Sequence, residues 1–86
     1  MKYVIQTETI TINKNVDAGC NAIIFTNRGT TTVLINGQTL LANESMANNG
    51  LPGEIDVTRY DIVFSGAGTN ALNIRRKIYV SQDFRN

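Results

Sequence analysis

The sequence contains no histidine and no tryptophan, and only one cysteine and one proline. Without histidine there is no imidazole base, no Ser-His-Asp triad and no Cys/His zinc site. A single cysteine, Cys20, cannot close a disulfide framework, and a small buried thiol is its expected role. Charge is sparse as well: 17% of residues are charged, against a usual value of about 25%. Eight Lys and Arg face seven Asp and Glu, for a net charge of +1. Only Arg75-Arg76-Lys77 clusters, so the basic face of a nucleic-acid binder is missing. The longest apolar runs, such as Ala22-Ile23-Ile24-Phe25, are strand-sized. A membrane span needs roughly 18 such residues. The opening Met1-Lys2-Tyr3-Val4-Ile5-Gln6-Thr7-Glu8 has a lysine but no apolar h-region, so it does not read as a signal peptide.

What is present is β-forming. The 86 residues suffice for one small domain, in which folding buries only about 60% of the unfolded chain's surface. Hydrophobic residues make up 42% of the chain, and eleven Asn and ten Thr supply most of the polarity. Ile and Val together number sixteen, and β-branched side chains suit a pleated surface. No stretch repeats apolar residues at helical spacing over two turns. Gly, Asn and Asp punctuate the chain every 8–12 residues or so, roughly as a sandwich or barrel requires.

Seven strands are expected. The first covers 3–12, with Ile10 and Ile12 on one face and Thr7, Thr9 and Thr11 on the other. Residues 13–19 connect it to a strand over 21–26, where Ile23, Ile24 and Phe25 are apolar on both faces. Strands over 31–35 and 38–41 flank Asn36-Gly37, the strongest short hairpin signal because both turn residues must reach positive φ. Residues 42–53 read as a long loop in which Pro52-Gly53 suits a type II turn. A short strand over 54–58 would turn Ile55 and Val57 inward, and the next would do so with Tyr60, Ile62 and Phe64. A hairpin loop over 66–70 leads into a last strand over 71–80. Two antiparallel sheets packed face to face satisfy this pattern, as a jelly-roll or immunoglobulin-like sandwich. One domain over 1–80 and a polar tail over 81–86 are expected.

The candidate chemistry is thin. Asn13-x-Asn15-x-Asp17 imitates the start of a calcium loop. It lacks the glycine at the sixth position, Ala18, and the glutamate at the twelfth, Ile24. Gly66-Ala67-Gly68 precedes a strand, not the helix a phosphate cradle needs. Glu54, Asp56 and Asp61 read as solvated strand charges, since a thin sandwich offers no walled cleft to raise a carboxyl pKa. Asn43-Glu44-Ser45 matches a glycosylation sequon by pattern only. Arg76 falls on the apolar line Leu72-Ile74-Ile78-Val80, and an unpaired buried guanidinium is prohibitive. It therefore pairs with a carboxylate (Asp56 and Asp61 being nearest by strand order), or is rotated outward by a bulge, or meets another subunit.

Three stretches together resemble a known family: Asn21 to Thr30, with its N-x-G-T ending; Val33 to Ser45, with I-N-G and N-E-S; and Glu54 to Phe64, with D-x-T-x-Y-x-I-x-F. They resemble small β-sandwich virion proteins of tailed bacteriophages, notably crAss-like and related phages of Bacteroidetes. The likeness spans roughly residues 20 to 80. Relatives often carry P-G-E-S at the second turn, where this chain has Ala42-Asn43-Glu44-Ser45. The shared motifs are turns and strands, so no functional residue carries over.

The resemblance implies a virion location and a structural role, as a capsid decoration, auxiliary capsid, fibre-base or tail component. Such a protein docks onto other virion proteins and performs no catalysis. Homo-oligomerisation is expected, with no cofactor, metal, nucleic acid or membrane partner. Isolated domains below about 70–80 residues generally lean on oligomerisation or other staples, and this chain sits just above that range with no disulfide to help. The candidate interface residues are Ile23, Phe25, Met46, Leu51, Arg76 and Phe84, with residues 42–53 and the termini as contact regions. A carbohydrate-binding module is the alternative, with Tyr3 and Tyr79 as its exposed aromatics. A cupin-like enzyme comes third, disfavoured by the missing histidines.

Overall fold

The structure is a computed structural model and describes residues 2–80. These form eight strands: β1 (Lys2–Ile10), β2 (Lys14–Asp17), β3 (Ala22–Asn27), β4 (Thr32–Ile35), β5 (Gln38–Leu40), β6 (Ser45–Asn48), β7 (Arg59–Ser65) and β8 (Leu72–Val80). No helix occurs among the described residues. The strands build two four-stranded sheets, β1-β8-β3-β6 and β2-β7-β4-β5, antiparallel throughout. Only β4 and β5 are chain neighbours paired in one sheet, and every other connection crosses between sheets. An eight-stranded double sheet wound in this order is a jelly roll. The expected all-β sandwich is thus present, in its jelly-roll form.

Period-two patterning decides which face each strand buries. Ile23 and Phe25 of β3, Val33 and Ile35 of β4, Tyr60 and Ile62 of β7, and Leu72 and Ile74 of β8 all point into the core. Fully burying each aliphatic or phenyl side chain is worth about 1.5–3 kcal/mol. The Phe25 and Tyr60 rings join the two sheets edge to face, centroids 4.9 Å apart. Asn36 (φ 49°) and Gly37 (φ 85°) form the β4–β5 turn, both left-handed as a type I′ hairpin demands. The Glu54 N–H donates to the Leu51 carbonyl, and Gly53 sits at φ 92°, consistent with the type II turn expected at Pro52-Gly53.

Several boundaries differ from the expectation. Strand β1 ends at Ile10, leaving Ile12 exposed. Residues 14–17, read as connection, pair with β7 and bury Val16. The expected loop 42–53 contains β6, whose Met46 lies opposite Phe25 and packs half-buried on the core. Segment 54–58 is not a strand. It makes one isolated bridge, Asp56 to Cys20, and Tyr60 Oη donates to Asp56 Oδ2 at 2.8 Å. Holding Asp56 toward Tyr60 turns its neighbours out, so Ile55 (56%) and Val57 (85%) are exposed rather than inward. Residues 66–70 cross between the sheets and form no hairpin, because β7 and β8 belong to different sheets.

Strand β3 is bracketed by two buried asparagines. Asn27 Nδ2 donates to the carbonyls of Thr31 (2.7 Å) and Leu40 (3.1 Å), and its Oδ1 accepts from Gly29 N. At the other end Asn21 Oδ1 accepts from Tyr79 N, and its Nδ2 donates to the Glu54 carbonyl. Each side chain supplies bonds the backbone ladder no longer makes there.

Candidate functional site

Arg76 lies in unbroken register between Gln6 of β1 and Ile23 of β3. No bulge rotates it, and its side chain is 11% exposed. Its Nη1 hydrogen-bonds Glu8 Oε2, while Nε and Nη2 donate to the carbonyls of Ala18 and Asp17, both at 3.2 Å. The paired alternative therefore holds, but the partner is Glu8 and not Asp56 or Asp61. Glu8 reaches the arginine because β1 and β8 are sheet neighbours. The carbonyl contacts reach across to the end of β2 in the second sheet, so Arg76 seals the sandwich at that end.

The other candidates fall in different places. Ile23 and Phe25 are wholly buried in the chain's own core, so they offer no surface to a partner. On β3 it is Ile24 that faces outward. Met46 is half-buried against the core. Leu51 is exposed at a loop tip, with Ile55 and Val57 exposed close behind. Phe84 lies outside the described residues.

A shallow polar depression is lined by Asn21, Asn48, Asn49, Glu54 and Asp56. Most of its polar groups are already engaged by residues around it. Asn48 Nδ2 donates to Tyr60 Oη at 2.6 Å, and Glu54 Oε1 accepts from Leu51 N at 2.8 Å. Hydrogen bonds from Thr58 and then Tyr60 hold the Asp56 carboxyl below its usual range. Burial, followed by the bond to Asp56, pushes the Tyr60 phenol up. Burial likewise raises the Cys20 thiol, which suits a quiet core residue. Among the described residues no group of three or more His, Cys, Asp or Glu is arranged to hold a metal ion.

The sequence places a strand from residue 3 and an exposed ring at Tyr3, but the exposure of Val4 and Ile5 beside it was missed. Tyr3 (52%), Val4 (46%) and Ile5 (41%) are all exposed, so both faces of this edge strand meet solvent. The signal was present in the three consecutive apolar residues, which break the alternation of a half-buried strand. Tyr3 sits opposite Tyr79, ring centroids 6.0 Å apart in an edge-on pair. Lys77 Nζ lies 4.3 Å from the Tyr3 centroid and 5.2 Å from that of Tyr79. With Arg75 and Ile24 these residues make the outer face of the first sheet cationic and apolar at once.

No family model matches the chain, and no curated protein or solved structure matches it.

Proposed function

We propose that this chain is a structural component of a tailed-bacteriophage virion that acts by docking onto other virion proteins. The exposed apolar residues carry the reading: Tyr3, Val4 and Ile5 on β1, and Leu51, Ile55 and Val57 on the loop before β7. Exposed patches of this kind mark interaction surfaces, and repetition around a particle multiplies weak docking into avidity. The jelly roll adds support by fold analogy, since capsid domains use it, although a fold alone does not fix a function. Mass spectrometry and electron microscopy of purified phage particles test the proposal. The chain should be found in stoichiometric amount at defined positions on the particle, and its absence from purified particles would reject the reading.

The pairing of Tyr3 with Tyr79 on one exposed face favours a second reading, a carbohydrate-binding module. Lectins also use jelly rolls. Against it, the Lys77 ammonium lies over both rings, where a sugar would need to stack. A glycan array without binding at any sugar disposes of this alternative.

A further inference from the structure

The two sheets have four edges, formed by β1, β6, β2 and β5. Three are short, at four, four and three residues. Short edges are one of the devices by which proteins avoid unwanted strand pairing. Strand β1 is different. It runs nine residues in unbroken register with β8, without a bulge, and it contains no proline. Its charges are Lys2 at the very end and Glu8, and Glu8 is already engaged by Arg76. Its outward backbone edge has no strand beside it among the described residues.

We propose that β1 pairs with β1 of a second copy, antiparallel across a two-fold axis at Ile5, joining two four-stranded sheets into one of eight. The occupant follows from self-complementarity. In a two-fold antiparallel pair, residues i and j face each other both ways. Centring on Ile5 sets Lys2 opposite Glu8 of the partner subunit, and Glu8 opposite the partner's Lys2. Both residues lie on the same face of β1, since they are an even number of positions apart. Opposite charges directly across a strand pair are favourable. Moving the centre to Val4 or Gln6 sets Lys2 opposite Gln6 or Ile10 instead, so this register alone makes both ion pairs. The same register stacks Tyr3 beside Thr7 of the partner subunit and covers the exposed flanks of Val4 and Ile5. It uses only strand geometry and charge, so it holds wherever the protein resides and whatever else it docks onto.

The full-length chain is measured by sedimentation velocity and native mass spectrometry, together with Ile5→Lys and Ile5→Glu. Position 5 faces itself across the axis, so each variant sets like charges against one another. The wild type should be a dimer. Each variant alone should associate roughly tenfold more weakly or worse, with its circular dichroism unchanged because Ile5 is exposed. An equimolar mixture of the two should recover a heterodimer, because Lys then faces Glu. A monomeric wild type, a wild-type ring of three or more, a dimer indifferent to both substitutions, or a mixture that stays monomeric would each overturn the proposal.

Discussion

Glu8→Ala should destabilise this protein more than Arg76→Met, although both break the same ion pair. Deleting the arginine leaves a carboxylate whose side chain is 40% exposed, so water replaces the lost partner. It also removes the charge that is costly to bury, and methionine keeps an apolar stem on the Leu72-Ile74-Ile78 line. Losing the bonds to Glu8 and to the carbonyls of Asp17 and Ala18 then costs about 1.5 kcal/mol. Deleting the carboxylate instead leaves a guanidinium at 11% exposure with only two carbonyl acceptors. Breaking a buried pair from that side costs about 3–5 kcal/mol, and the surviving carbonyls favour the lower end. At about 4–8 °C per kcal/mol for a domain of this size, the Tm loss should be roughly twice as large for Glu8→Ala. The double variant should be no less stable than Arg76→Met alone, a coupling of about 3 kcal/mol. Urea and thermal unfolding followed by circular dichroism, at dilutions where each chain is monomeric, read all four proteins. If Arg76→Met proves the worse single variant, or if the coupling falls below about 0.5 kcal/mol, the reasoning about which partner is stranded is wrong.

Asn27→Ala removes the side-chain donor from two buried carbonyls and leaves the Gly29 amide only its bond to the Ala71 carbonyl, and should cost about 2 kcal/mol or more in urea unfolding. Gly29→Ala would place Cβ against the Thr69 carbonyl oxygen and 2.7 Å from Ala71 N, so it should cost about 2 kcal/mol or more even though Gly29 needs no positive φ. Tyr60 titrates above its usual value in the folded state. Its contribution is therefore intact below about pH 10 and is lost as pH rises through the higher folded value. Thermal scans at increasing alkaline pH should show a falling Tm in the wild type and a shallower fall in Tyr60→Phe.

The legible parts of this fold were those set by neighbours in sequence. Asn36-Gly37 fixes its own hairpin, and the alternation in β7 and β8 follows from one wetted and one buried face. Strands β2 and β6 escaped because each is an edge carrying one large apolar residue, Val16 or Met46, too few to establish a period. Segment 54–58 misled for the opposite reason. Ile55 and Val57 alternate as a strand would, yet the chain turns its polar Asp56 inward because Tyr60 and the Cys20 bridge hold it there. That Arg76 must be compensated was readable from its place on an apolar line. Its partner was not, because Glu8 is 68 positions away and only the pairing of the first and last strands brings them together. Of the candidate contact residues, Leu51 is exposed as expected, whereas Ile23 and Phe25 lie in the chain's own core, because strand patterning does not say which apolar face the chain covers with itself.

The two ends of the sandwich are finished differently, and the difference bears on the role of β1. Past Asn27 the chain returns at once through tight turns, and the buried amide ties three segments together. At the far end β3 stops, Asn21 bonds Tyr79 N, and Arg76 closes the gap to β2. The core is therefore sealed before the first residues of β1 are reached, and Tyr3, Val4 and Ile5 stay about half exposed in one copy. Ordering such residues costs about 1–2 kcal/mol each in backbone entropy, and a long open edge also invites misassociation. A single copy offsets that cost only in part, through half-burial and the pairing with β8. The proposed pairing across a two-fold axis would supply further burial and partners for the outward backbone edge together, so the stability of this end should rise with protein concentration while that of the Asn27 end does not.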